Sequence, residues 1–148
     1  MEHKTEHHAE HEHHVEHKHI DTKKIEWVLR IALFGEFLGH GVFALMLKGR
    51  FIEMLTAFTG ISGPLANNIM MAIGAIDVLV AISALVFPFR LMLVYATFWG
   101  FMTAVARPVA GDPIWDFVER WANWGIPLAL LLLRGLPEKW NDFKEWLK

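Results

Sequence analysis

Apolar residues gather into four long blocks, 25–47, 65–87, 91–110 and 117–136, each apolar nearly all the way round. A helix of a soluble protein keeps a polar face at 3.6-residue spacing, whereas a membrane span needs roughly 20 mainly apolar residues in a row. The pattern predicts an all-α integral membrane protein, a four-helix bundle over residues 25–136. Between the first two blocks, Phe51, Ile52, Leu55 and Phe58 recur at helical spacing, which predicts a short helix lying along the interface. Ser62-Gly63-Pro64 opens the second span, with Pro where a missing N–H does no harm. Pro88-Phe89-Arg90 leaves so short a turn that the second and third helices are expected to be antiparallel neighbours. Asp112 as N-cap and Pro113 as first helical residue start the fourth helix, whose opening stretch 114–120 is wet. Beyond it, Trp140, Phe143, Trp146 and Leu147 oppose Lys139, Lys144 and Lys148, so 137–148 reads as a C-terminal interfacial amphipathic helix.

The beginning of the chain is different. Residues 1–24 are a run of His, Glu and Lys with almost nothing apolar to bury, and disorder is expected there. Asp21 or Thr22 is placed to cap the first helix. No apolar core of a secretory signal precedes a cleavage site, so the first block is expected to remain as an anchor. Lys23, Lys24, Arg90, Arg134, Lys139, Lys144 and Lys148 fall on one side of the expected spans, and Lys48, Arg50, Arg107 and Arg120 on the other. The positive-inside rule then puts both termini in the cytoplasm. Trp27, Trp115, Trp121 and Trp124 lie near span ends, like an aromatic belt.

Composition narrows the chemistry. A net charge of −2 without a basic stripe excludes a nucleic-acid partner. The absence of cysteine excludes disulfides, thiol redox chemistry and cysteine-held iron–sulfur clusters. No nucleophile motif, Gly-rich phosphate loop or paired catalytic carboxylate signature is present.

What remains is a set of ionisable residues inside the apolar blocks, where each is costly unless it faces protein or water. Glu36 and His40 stand one helical turn apart on one face of the first helix. They read either as a proton-relay, metal-binding or quinone-binding pair, or as a carboxylate held by a buried arginine beside a histidine bonded to a carbonyl. Gly35, Gly39 and Gly41 flank them and would let another helix come close. Gly74, Asp77, Ala81 and Ala84 form a small-residue seam that buries one carboxylate. On the third helix Ala96, Gly100, Thr103 and Arg107 share a face, and Asp116, Glu119, Arg120 and Asn123 follow in the fourth. An arginine fork can satisfy a carboxylate bidentately, so Glu36, Asp77, Arg107, Arg120 and Asn123 are expected to form a nearly charge-balanced buried network. It would either line a pocket or hold the helices in register. Arg30 is expected to snorkel to the cytoplasmic interface. In the tail, His7, His8, His11, His13 and His14 offer ligand sets for Zn, Ni or Cu, against which stands simple adventitious binding. Only His40 lies within the spans, so haem ligation by two histidines of one chain is not available.

The order of these residues resembles the DoxX-like family of small four-helix bacterial and archaeal membrane proteins. The segments that carry the resemblance are Arg30 with His40-Gly41, Gly74-Ala-Ile-Asp77, Thr103-Ala-Val-Ala-Arg107-Pro108, and Arg120-x-x-Asn123-x-x-x-Pro127-Leu-Ala-Leu. Asp77 stands where many relatives carry Glu. The resemblance covers about 25–136 and implies a prokaryotic inner-membrane location. It further implies a subunit or accessory of a membrane redox system, with other membrane or peripheral subunits as partners and quinone as the molecule contacted. Two alternatives stand beside it: a transporter or metal-handling protein fed by the His-rich tail, and a purely structural subunit of a larger complex.

Overall fold

The computed structural model describes residues 21–135. The His-rich tail with its candidate metal ligands and the expected C-terminal amphipathic helix lie outside them. Among the described residues there are six α-helices and no strand.

The Asp21 carboxylate accepts from the Lys24 backbone N–H at 3.2 Å and starts α1, Thr22–Leu45. Leu47, at φ 52°, turns the chain into α2, Gly49–Thr59, which Gly60 ends in the left-handed conformation at φ 75°. A side chain at Gly60 would be strained, so glycine suits this stop. The second apolar block forms α3, Gly63–Val86, with Pro64 in its first turn. Its third counterpart forms α4, Arg90–Val109.

The fourth block is not one helix. It divides at Arg120 into α5, Ile114–Glu119, and α6, Trp121–Leu133. At the joint Arg120 N–H reaches back to the Phe117 carbonyl and Asn123 N–H to that of Arg120, at 3.1 and 3.0 Å. These tight three-residue steps break the α-ladder. Nor does Asp112 cap: Pro113 precedes the first helical residue, and the Asp112 carboxylate is taken by Arg50.

α1 packs along α3, α4 packs along α6, and α1 against α6 joins the two pairs. Despite their short turn, α3 and α4 scarcely touch. The reason lies in the small residues. Gly41 and Gly74 let α1 and α3 meet backbone to backbone, and Gly100 does the same for α4 on α6. Where α3 and α4 open, larger side chains line both walls, Met70 and Ile73 on α3 and Phe98 and Met102 on α4. The core, built on Leu33, Phe37, Leu93 and Leu130, fills the half nearest the α3–α4 turn. In the other half the space between α3 and α4 stays open and α2 folds across it, against both.

At the turn end, Arg30 donates to the carbonyls of Ala84 and Leu85, and its guanidinium lies 4.2 Å from the Trp27 ring centre. Arg30 therefore does not snorkel: it satisfies carbonyls that the end of α3 leaves without amide partners. Arg134 donates to the Pro88 carbonyl and, at 2.9 Å, to Glu26.

Two helices, α1 and α3, are long and apolar enough to cross a membrane. Only 22% and 33% of their most apolar windows are buried against the rest of the protein, whereas a soluble core helix would be mostly buried. Val28, Leu79, Val86 and Phe98, each more than three-fifths exposed, continue this apolar exterior. Such a continuous apolar surface is a liability in water.

Candidate binding cavity

Where α3 and α4 separate, a cavity of about 300 Å³ lies under α2. α2 presents its aromatic side inward, with Phe51, Leu55 and Phe58 in the cavity wall. Met70 and Ile73 of α3 and Phe98 and Met102 of α4 complete a mainly hydrocarbon lining. Into this wall the four long helices set a few polar groups: His40 from α1, Asp77 from α3, Trp99, Thr103 and Arg107 from α4, and Asn123 from α6.

Asp77 is the most confined of them, at 4% exposure. Its Oδ1 and the Trp99 indole Nε1 are both buried and without a hydrogen-bond partner among the described residues. The two side chains are close enough for the indole to act on the carboxyl group. They nevertheless do not close a hydrogen bond. Trp99 is held by a nearly parallel stack on Tyr95, ring centres 6.3 Å apart and planes 10° apart. Thr103 spends its hydroxyl on the Gly100 carbonyl at 3.0 Å.

His40 Nδ1 lies 3.4 Å from Glu36 Oε1, yet the atoms are out of line, and Glu36 Oε1 has no hydrogen bond among the described residues. The other side of the imidazole rests on Phe51, ring centres 5.9 Å apart. Arg107 turns to the carboxylates of Asp112 in the α4–α5 loop, at 3.8 Å, and of Asp116 in α5, at 3.9 Å. Asp112 is shared with Arg50, which also donates to Glu53 at 2.9 Å and to the Ala110 carbonyl at 3.3 Å. The hydrogen bond that Arg50 donates to Glu53 raises its guanidinium above the ordinary pKa; lost hydration opposes this, and the bond donated to Asp112 raises it again. Arg50 thus ties α2 to the α4–α5 loop.

Of the six residues singled out in the sequence, His40, Asp77, Arg107 and Asn123 line one cavity. Glu36 stands behind His40, outside the lining. Arg120, at the α5–α6 joint, is near enough to Glu36 and His40 to influence their charge but forms no ion pair within 4.0 Å among the described residues. The expected five-residue ionic network is therefore not formed. Arg107 stands eight residues beyond Trp99 on α4, about 12 Å along the helix, while Asp77 lies beside Trp99. Arg107 has Asp112 and Asp116 within closer reach. Of the three glycines around Glu36 and His40, Gly41 alone meets another helix; Gly35 and Gly39 face open space.

Trp99 and the inward side of α2 were not among the residues singled out. A signal for Trp99 was available: its indole N–H sits in the middle of an apolar block, away from the span ends, where a buried N–H calls for a partner. Among the described residues no three His, Asp or Glu side chains converge on a metal position.

No protein family, characterised protein or solved structure matches this chain. The DoxX-like resemblance accordingly rests on its short motifs alone.

Proposed function

We propose that this chain is a four-helix membrane protein that binds a quinone-type molecule beneath α2, as a DoxX-like subunit or accessory of a membrane redox system. The observation that carries the reading is the place of Asp77 and Trp99 in the wall of a mainly hydrocarbon cavity, each with one buried polar atom that has no hydrogen-bond partner among the described residues. A buried polar group left unpaired costs about 1–3 kcal/mol, and a bound molecule would remove that cost once a small side-chain rotation turns these atoms toward it. Small-molecule sites are apolar clefts with a few placed polar groups, and about 300 Å³ is at the small end of their range, suited to one ring. The indole N–H donates to a ring oxygen, and the carboxylate accepts from a hydroxyl of the reduced ring. His40, Arg107 and Asn123 offer donors to a second ring oxygen.

The membrane part of the reading draws on α1 and α3 and on the apolar exterior. α4 has 20 residues, about 30 Å of helix, and α5 with α6 spans 114–133, a similar length. These would supply the third and fourth crossings. In this arrangement α2 lies at the membrane surface as the cover of the cavity. The inner-membrane location rests on the DoxX-like resemblance, and the Lys and Arg distribution favours both termini in the cytoplasm.

The reading is tested by titrating a tail-less benzoquinone, and its hydroquinone, into the purified protein in nanodiscs. Binding is expected, weakened at least about tenfold in Trp99→Phe, a loss equal to one good hydrogen bond. Absence of binding in both redox forms, or equal binding to Trp99→Phe and Asp77→Asn, would overturn it.

A further inference from the structure

At the α3–α4 turn three arginines converge. Arg30 of α1, Arg90 at the start of α4 and Arg134 just beyond α6 line one pocket of about 220 Å³. Val86 and Phe87 stand at its rim, 75% and 71% exposed. Arg30 donates to the Ala84 and Leu85 carbonyls, Arg134 to that of Pro88, and Arg90 to that of Arg134 at 2.9 Å. Carbonyls satisfy donors but carry no charge to set against a guanidinium. Among the described residues, Glu26 is the carboxylate within 4.0 Å of Arg30 and of Arg134, at 3.9 and 2.9 Å, and it serves both. One positive charge is therefore left over there before Arg90 is counted. The Arg30 side chain is only 13% exposed, so water does little to hydrate its charge. Of the five N–H donors of a guanidinium, Arg30 and Arg134 each spend two among the described residues.

We infer that this pocket holds the phosphate of an anionic phospholipid at the edge of the bundle. The inference rests on the membrane reading and not on the cavity beneath α2. A phosphate supplies what the pocket lacks, full negative charge with oxygens that several guanidiniums can share. Basic pockets between membrane helices on the cytoplasmic side take lipid head groups in this way, and in the proposed orientation this turn faces the cytoplasm. The rim decides between a lipid and a free anion. Val86 and Phe87 lie open beside the arginines, where acyl chains leave a head group, and a free phosphate makes no use of them. Net charge decides among lipids, since the choline of a zwitterionic head group would bring one more cation to three.

The test counts the lipid that the whole protein retains. It is reconstituted in nanodiscs of phosphatidylcholine with some phosphatidylglycerol, released into mild detergent and examined by native mass spectrometry. One phosphatidylglycerol per chain should survive, preferred about tenfold over phosphatidylcholine. Arg30→Gln and Arg134→Gln should each abolish that preference. Phe87→Glu should abolish it too: it sets a carboxylate at the exposed rim and keeps the test available if either arginine variant fails to fold. Lys23→Gln with Lys24→Gln, exposed cations at the same end, should leave the lipid in place. Inorganic phosphate in excess should not displace it. Absence of any preference, a preference that survives Phe87→Glu and both arginine variants, or one lost with the two lysines would overturn the site. Displacement by inorganic phosphate would overturn the lipid as its occupant. A protein that fails to enter nanodiscs loses the membrane reading and this inference together, whereas every other outcome leaves the benzoquinone titration to be judged by itself.

Discussion

Gly100 of α4 lies directly on the backbone of Asn123 in α6: a methyl group at Gly100 would fall 2.7 Å from the Asn123 carbonyl carbon and closer still to its oxygen. Pro127, one turn further along α6, has no N–H to offer that carbonyl. Two sequence features thus produce one contact, which also fixes the Asn123 side chain at the cavity wall. Gly41 and Gly74 make the matching contact between α1 and α3, each with the other's carbonyl oxygen within 3 Å of an added methyl.

A graded response to glycine substitution follows. Gly100→Ala, Gly41→Ala and Gly74→Ala should each destabilise by about 1–3 kcal/mol, since the obstructing atoms include backbone that cannot rotate away. Gly35→Ala and Gly39→Ala meet nothing within 4 Å and should be neutral, or stabilise by up to about 1 kcal/mol through helix propensity. Thermal or denaturant unfolding in detergent measures both groups.

Arg50 should act as a latch on α2. Its links to Asp112 and to the Ala110 carbonyl hold α2 to the α4–α5 loop, and no residue of α2 is itself fully buried. Arg50→Ala should speed amide hydrogen exchange across Gly49–Thr59 by roughly tenfold and leave α1 and α3 unchanged, because local opening is governed by local contacts. Uniform acceleration along the chain would mean that Arg50 supports the whole bundle instead.

Glu36 and Arg120 should prove only weakly coupled. They form no ion pair within 4.0 Å and act on each other through charge at a distance, so Glu36→Gln, Arg120→Gln and the double variant should show a coupling of no more than about 1 kcal/mol. A tightly paired buried carboxylate would give several kcal/mol on loss of its partner. A large coupling would restore the ionic strut between α1 and the α5–α6 joint.

Topology is open to direct test. Reporter fusions after Lys24, Lys48, Phe89 and Lys148 should read inside, outside, inside, inside if the chain crosses four times. An outside signal at Phe89 would leave α3 as an element that does not cross.

Some of this arrangement was legible in the sequence and some was not, for physical reasons. α1 and α3 were readable because their apolar runs exceed what a soluble helix needs, and α2 because its aromatic residues recur at helical spacing. The pairing of helices was harder to read, because a helix apolar on every side carries no pattern that says which side meets a neighbour. Gly35 and Gly41 are the same residue six positions apart on one helix, yet only Gly41 finds a facing glycine. Long arginines were misjudged for a related reason: Arg30 and Arg107 can swing to whichever carbonyl or carboxylate the fold brings near. Their partners, at Ala84 and Asp112, are set by tertiary structure. The break at Arg120 followed from local backbone turns that an apolar run conceals.

The central claim is that Asp77 is kept unpaired for a ligand rather than for the fold, and Asp77→Leu tests it most directly. Leucine has nearly the same shape and removes a buried polar atom that has no partner at Oδ1. The account predicts that the empty variant in nanodiscs is more stable than the unaltered protein by about 1–3 kcal/mol. The same variant should no longer bind the benzoquinone or its hydroquinone. A variant that is destabilised, or one that binds the ring as before, would contradict it.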